Sequence, residues 1–257
     1  MTGPEKAFDL QEYIMHHVAN SDKWSLPFLS PISLPEWLTL HGLMMLLCGG
    51  LLIVLFCFVY RKDRMVPTGM TNVLEALIIF IRENIADSCL GKEEGRKMMP
   101  LLCTFFFFIL GMNLMGLIPI FASATANVNV TGALAFITLS FMIGGSIYKN
   151  GIKGFFSALI PSGIPLPILF MIVPLEIIGL FVKAFALTLR LFANMLAGHI
   201  VILTLVGLVV LIGYVALPSI ILAVMIMLLE ILVAFLQAFI FTLLSALFIG
   251  HLANPEH

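Results

Sequence analysis

The stretch from residue 168 to residue 250 constrains the fold most, because only four charged side chains interrupt it: Glu176, Lys183, Arg190 and Glu230. About 20 apolar residues suffice to cross the hydrocarbon layer of a bilayer. Over the whole chain 61% of the residues are hydrophobic and 11% are charged, against about 25% charged in soluble domains. A single core cannot bury so much apolar surface, so the sequence predicts an all-α polytopic membrane protein.

Charge and cysteine content exclude other kinds of partner. Thirteen basic and 14 acidic residues give a formal net charge of -1, which provides no cationic field to bind nucleic acid. The four cysteines, Cys48, Cys57, Cys89 and Cys103, form no CxxC pair and have no histidine at metal-ligand spacing. We therefore expect no nucleic-acid partner, no metal and no cofactor.

Five apolar segments are predicted to span the bilayer. They are residues 38–60, 98–121, 131–148, 168–212 and 218–250. The last two are longer than a minimal span, which predicts a long, tilted helical hairpin. Residues 70–90 differ, because charged side chains recur there at helical spacing opposite apolar ones, and they predict an interfacial amphipathic helix. Prolines between residues 161 and 167 predict an interfacial elbow.

Basic clusters set the expected orientation of these segments. Residues 61–64 follow the first span and residues 91–97 precede the second, so the positive-inside bias places both on the cytoplasmic side. Residues 1–36 then form an outward-facing N-terminal segment, and residues 37–257 form the membrane domain. The start of the chain lacks the pattern of a signal or transit peptide, which favours a bacterial inner membrane.

The intramembrane charges need a physical explanation, because each costs about 2.5–3.5 kcal/mol at the centre of a bilayer. Glu176, Lys183 and Arg190 are spaced by seven residues and therefore lie along one stripe of a helix. Asn194 extends this stripe by one turn, whereas His199 faces the opposite side. We expect the helix to present two polar faces.

Folding the hairpin about Tyr214 determines which residues of its two arms are level, with residue numbers that sum to about 428. His199 then lies level with Glu230 toward the outside, Arg190 lies near mid-depth, and Glu176 lies toward the cytoplasm. An imidazole and a buried carboxyl group can both exchange protons near neutral pH, whereas arginine keeps its proton. The pattern predicts two titratable clusters separated by a fixed cation, an arrangement suited to proton transfer.

The same region of the sequence resembles subunit a of the F-type ATP synthase. Residues 189–199 read LRLFANMLAGH, residues 111–119 read GMNLMGLIP, and Glu230 stands seven residues before QAFIF at 237–241. A polar C-terminal tail follows. The resemblance extends over residues 35–250, and its arginine–asparagine motif is highly specific.

The resemblance implies that Arg190 faces the carboxylates of a rotating ring of c subunits, between two offset aqueous half-channels. It implies that the outer half-channel is formed by Asn194, His199, Glu230 and Gln237, with Asn113 as a further polar lining residue. It implies that Glu176 forms part of the inner half-channel. The c-ring, subunit b of the peripheral stalk, the lipid bilayer and protons are the implied partners. The sequence contains no phosphate-binding Gly-Lys-Ser/Thr loop, so we expect the nucleotide chemistry to belong to other subunits and the chain not to be an enzyme by itself.

The chain departs from the family pattern at two places. Some relatives carry the acid on the first long helix and the histidine on the second, whereas here His199 comes first and Glu230 second. This exchange keeps the chemistry if the two side chains share one site. Gly116 stands where some relatives have an acid after the Asn-Leu-Met run, which leaves Asn113 as the polar candidate there.

Other interpretations of these polar residues stay open at this point. Arg190 can be explained by an ion pair with Glu176 or by snorkelling to the membrane interface, and Lys183 by neutralising Glu176 or by hydrating the inner channel. His199 and Glu230 can form a static hydrogen bond. The alternative function is a stand-alone secondary transporter that binds substrate at the midplane through Glu176, Arg190 and Glu230. The absence of an internal sequence repeat disfavours a transporter.

Overall fold

The computed structural model describes residues 23–24, 32–33, 35, 39–59, 69–118, 121–158, 166–213 and 217–253. Most of the predicted N-terminal segment, the basic cluster at 61–64, most of the predicted elbow and Tyr214 lie outside these residues. A two-residue antiparallel strand pair joins Lys23–Trp24 to Ile32–Ser33. Nearly all the other described residues are helical.

The described residues form seven α-helices. These are α1 (Leu40–Val54), α2 (Met70–Ile81), α3 (Asp87–Leu90), α4 (Lys92–Gly116), α5 (Val128–Ala158), α6 (Leu166–Ile212) and α7 (Leu217–Ala253). Wider π-helical turns extend α1 over Leu55–Val59 and join α2 to α3 over Arg82–Ala86, and a short 3₁₀ turn, Ala124–Ala126, precedes α5. Five helices, α1 and α4 to α7, are long and apolar enough to cross a membrane. The predicted all-α polytopic fold is confirmed.

Two glycines with positive φ angles set helix boundaries that differ from the apolar pattern. Gly91 (φ 76°) follows α3, so α4 begins at Lys92 and takes in most of the basic segment at 91–97 as its first turns. Gly151 (φ 71°) kinks α5, which then continues to Ala158, beyond the predicted span end at 148. Only glycine adopts such a backbone at little cost, so both boundaries are local effects that hydropathy does not report.

The segment from α2 to α3 is helical and packs one apolar face onto the bundle. Leu74 and Ile81 are buried on this face, whereas Arg82 is exposed. The ring of Phe80 lies 5.5 Å, centroid to centroid, from the ring of Phe239 on α7. This amphipathic character agrees with the prediction for residues 70–90, and a position on the membrane surface is the arrangement we propose for it.

Helix α7 packs against α4, α5 and α6 and lies at the centre of the described bundle. The rings of Phe105 and Phe241 meet edge to face with their centroids 5.7 Å apart, and those of Phe106 and Phe235 do so at 5.5 Å. Such pairs add about 0.5–1.5 kcal/mol beyond the burial of their area. The aromatic contacts hold α7 against α4 and thereby fix the position of the hairpin that α7 forms with α6.

Helices α6 and α7 form the predicted hairpin. The hydroxyl of Ser219 donates to the carbonyl oxygen of Leu205 at 3.1 Å and joins the two arms near their turn. Only 6% of the most apolar stretch of α6 and 17% of that of α7 are buried within the chain. Large apolar side chains such as Phe170, which is 87% exposed, face outward. An apolar surface of this extent requires lipid or a partner protein.

Candidate functional site

A cavity of about 310 Å³ lies between α6 and α7, beside the last turn of α4. Most of its lining is apolar, but four polar side chains reach it: Asn113, Asn194, Glu230 and Gln237. A mostly apolar cavity with a few convergent polar groups is typical of functional sites. All four polar residues are among those for which the family resemblance implies a place in the proton path.

The carboxyl group of Glu230 is buried against the backbone of Gly198. Glu230 is only 7% exposed, and a Cβ atom built on Gly198 would overlap Glu230 Oε1. Gly198 therefore leaves the space that the carboxyl group occupies. The contact agrees with the predicted register, in which the numbers of level residues sum to about 428, but it places Gly198 rather than His199 against Glu230. The register brings the two positions together from sequence alone. Gly198 was not recognised as a site residue, because a glycine has no functional side chain.

Three buried polar atoms in this region have no hydrogen-bond partner among the described residues. They are Glu230 Oε2, Gln237 Nε2 and His199 Nδ1. An unpaired buried polar group costs about 1–3 kcal/mol, so such atoms are normally bonded to water or to a ligand. A cavity of this volume has room for several water molecules, and its four polar side chains would bind them. The arrangement therefore suits a hydrated site inside the apolar hairpin.

The imidazole of His199 does not pair with Glu230, which corrects the idea that the two side chains share one site. Within the described part of the chain, no nitrogen of His199 lies within 4.0 Å of a carboxylate oxygen. His199 lies instead beside the backbone of Met195 and of Gly116, at the end of α4. Successive helix residues are turned by about 100°, so when Gly198 faces Glu230 the next side chain points away.

The Arg190 side chain is exposed on the surface of α6. Among the described residues it makes no ion pair, which disfavours the interpretation that it is simply paired with Glu176. Asn194, one helical turn further along α6, lines the cavity. The guanidinium therefore lies on an apolar surface one helical turn from the cavity, open to a group from outside the chain.

The polar residues nearer the start of α6 lie apart from the cavity. Glu176 is half-buried on α6. The ammonium nitrogen of Lys183 lies 5.4 Å from the centroid of the Phe248 ring on α7, a distance at which a cation is attracted to an aromatic face. Lys183 makes no ion pair within the described residues, so it does not neutralise Glu176 there.

Asn113 is held from the turn that follows α4. It is 1% exposed, and its Oδ1 accepts a hydrogen bond from Thr125 Oγ1 at 2.7 Å. Thr125 Oγ1 lies 3.5 Å from Ser123 Oγ. In the sequence this turn is recognisable only as small and polar. A contact between two residues twelve positions apart, across an irregular turn, leaves no periodic pattern that would predict it.

The fold and the cavity together define a multi-pass helical membrane protein with polar groups inside its apolar hairpin. Residues 42–250 match the family described as ATP synthase A chain. The chain is 45% identical to ATP synthase subunit a 2 of Chlorobium luteolum, over 96% of this chain and 76% of that protein. It is 45% identical to ATP synthase subunit a of Chloroherpeton thalassium, over 95% of this chain and 77% of that protein.

A third relative is ATP synthase subunit a of Anaeromyxobacter dehalogenans, 46% identical over 82% of this chain and 57% of that protein. The chain belongs to the ATP synthase subunit a family, which confirms the resemblance described above. It is therefore a membrane component of the F-type ATP synthase, a complex of proton transport and ATP synthesis.

Proposed function

We propose that the chain is the proton-translocating stator subunit of the F-type ATP synthase, with Arg190 standing between two aqueous half-channels. The observation that carries this proposal is the placement of Arg190, exposed and without an ion pair within the described residues, on the apolar face of the hairpin. The cavity that contains Glu230 opens one helical turn away, at Asn194. A rotor carboxylate that passes this face meets the cation and the cavity in succession.

The outer half-channel leads through the cavity. Protons from the outside reach Glu230, and the amide groups of Asn113, Asn194 and Gln237 hold the water that connects it to a carboxylate of the c-ring. The unpartnered polar atoms of Glu230 and Gln237 support this role, because bound water satisfies them. His199 lies beside this route rather than in the cavity, and its unpartnered Nδ1 makes it a second proton acceptor at the end of α4.

The inner half-channel leads past Glu176. This residue lies on the same stripe of α6 as Arg190, two seven-residue spacings nearer the start of the helix. After rotation the ring carboxylate releases its proton toward this acid. Lys183, held over the ring of Phe248, lies between them on the stripe. In this arrangement the two titratable regions are on opposite sides of Arg190, so a proton crosses only when the ring turns.

Arg190 acts in two ways by virtue of its permanent charge. A guanidinium stays protonated throughout, so it cannot relay a proton. A fixed cation favours the ionised form of a carboxylate beside it and repels a proton that would pass directly between the half-channels. Each proton that moves down 100 mV releases about 2.3 kcal/mol, so several must be combined for one ATP, which a ring achieves.

The partners and location follow from the same proposal. The apolar face around Arg190 contacts the c-ring, and subunit b of the peripheral stalk holds the chain against rotation. The bacterial inner membrane surrounds the bundle, residues 1–36 face outward, and α2 lies on the cytoplasmic surface. The chain itself performs no nucleotide chemistry, and it needs neither metal nor cofactor.

The deciding experiment compares Arg190→Ala with Arg82→Ala in the whole complex. Arg82 serves as the matched control, because it is exposed and paired only weakly with Asp87 at 3.7 Å. We expect Arg190→Ala to abolish ATP-driven proton pumping into inverted membrane vesicles while the complex still assembles, and Arg82→Ala to pump normally. Normal pumping by Arg190→Ala would end the proposal. Solute uptake by the chain reconstituted alone would favour the transporter instead.

A further inference from the structure

Three polar side chains form a buried line from the turn after α4 to the cavity. Ser123, Thr125 and Asn113 are 5%, 0% and 1% exposed. The Ser123 and Thr125 hydroxyl oxygens are 3.5 Å apart, and Thr125 donates to Asn113 Oδ1 at 2.7 Å. Asn113 in turn lines the cavity. Uncharged polar groups buried this deeply in an apolar bundle cost free energy unless each has a partner, and here each has one in the line.

The contact with Thr125 fixes which end of the Asn113 amide meets the cavity. An asparagine side chain carries its acceptor oxygen and its donor NH₂ group on opposite sides. Because Thr125 engages Oδ1, the NH₂ group is directed to the other side. Asn113 and Glu230 both line the cavity, and Glu230 Oε2 is buried with no protein partner among the described residues. Water in the cavity is therefore the kind of partner that would suit both groups.

Ser123 is held in place by the close approach of the turn to the end of α4. A Cβ atom built on Gly116 would lie 2.9 Å from both the Cβ and the Oγ of Ser123 and 3.0 Å from Met195 Cε. Such distances leave room only for the hydrogen of a glycine. The same backbone contacts His199, so the turn, α4 and α6 are locked together at this point.

We propose that Thr125 is a positioning residue of the outer half-channel: it orients the Asn113 amide toward the water of the cavity, and Ser123 continues this polar line toward the outer surface. The inference rests on the proposed function and deepens it. In the described part of the chain, the titratable or charged side chains of the packed elements toward this line include His41 and Cys48 of α1, Arg190 and His199 of α6, and Glu230 of α7. The line itself contributes only uncharged groups.

The test is Thr125→Val, which keeps the side-chain shape and removes the hydroxyl group. Proton flux during ATP synthesis is measured in vesicles that contain the whole complex, per assembled complex, with the outer and inner pH varied separately. We expect a loss of roughly two- to tenfold, the effect of one lost hydrogen bond, and a changed dependence on outer pH with the dependence on inner pH unaltered. Thr125→Ser restores the hydroxyl group and is expected to restore both.

The matched control is Thr104→Val. Thr104 is exposed, and its hydroxyl group bonds only to the carbonyl oxygen of Pro100 in its own helix, so this variant is expected to behave as the parent. If Thr125→Val assembles poorly, Ser123→Ala serves in its place and is expected to change the outer-pH dependence in the same direction.

The inference is overturned by an unchanged outer-pH dependence in the variant tested, by a change in the inner-pH dependence, or by failure of Thr125→Ser to recover flux. Its failure is distinct from failure of the proposed function. An inactive Arg190→Ala together with an unaffected Thr125→Val rejects the positioning role alone, whereas a pumping Arg190→Ala rejects both.

Discussion

Replacing Gly198 by alanine probes the closest contact in the cavity. The added Cβ overlaps Glu230 Oε1 and lies 2.6 Å from Cδ and 3.2 Å from Cγ of the same side chain. The whole carboxyl group must therefore move, because a small rotation of one oxygen does not relieve the clash. Overpacking of this kind costs about 1–3 kcal/mol, and at 1.4 kcal/mol per factor of ten the competent arrangement is populated roughly 5- to 150-fold less.

The assay is ATP-driven acidification of inverted vesicles, normalised to the amount of assembled complex. Gly198→Ala is expected to lower pumping by that factor, and Gly144→Ala, where the new Cβ meets nothing within 4 Å, is expected to pump normally. Combining Gly198→Ala with Glu230→Asp, which shortens the acid by one methylene, is expected to recover part of the loss because the carboxyl group is drawn back from the new methyl group.

Two results would refute the reasoning on Gly198 and Glu230. Full pumping by Gly198→Ala would mean that the carboxyl group does not occupy the space above the glycine. Strict additivity of Gly198→Ala and Glu230→Asp would mean that the two positions do not share a contact, since neighbours that touch are expected to couple by about 0.5–3 kcal/mol.

The remaining predictions concern contacts that hold the bundle together. Thr138→Val breaks the 3.2 Å hydrogen bond to Ser245 between α5 and α7, and is expected to lower thermal stability in detergent by about 0.5–1.5 kcal/mol; an unchanged melting curve contradicts it. Lys149→Glu loses the ion pair with Glu94, and the added Glu94→Lys change is expected to restore stability, by no more than about 1 kcal/mol because both side chains are partly exposed. Gly250→Ala places a methyl group 2.6 Å from a backbone carbonyl oxygen of α3 and is expected to reduce assembled complex on immunoblots, where normal levels argue against the contact.

The number of long helices and the order of the polar groups along the hairpin follow from the sequence, because both depend on length and rise per residue. The two arms of the hairpin advance equally from one turn, so the level of Glu230 opposite residue 198 was predictable. The direction in which each side chain points around its helix axis is harder to predict than its level along the axis. An error of one residue turns a side chain by about 100°, and for that reason His199 was expected at the Glu230 site but lies beside the end of α4.

The hydrogen-bonded line through Thr125 could not be predicted from sequence patterns. Its partner Asn113 is separated from it by a helix end and an irregular turn, and nothing in hydropathy or spacing specifies how such a turn folds back. The boundaries at Gly91 and Gly151 were missed for a related reason. Each depends on one backbone dihedral angle, whereas a window of apolar residues averages over many.

The exposed position of Arg190 has a consequence for biogenesis. If Arg190 faces the c-ring as proposed, a newly inserted copy that has not yet met the ring presents a bare cation to the fatty-acyl chains, at a penalty of about 2.5–3.5 kcal/mol. Such an orphan copy is a natural target for membrane quality control, and incorporation into the complex removes the signal. Excess chain is therefore expected to be degraded rapidly, so that supply of the ring limits how much of it accumulates.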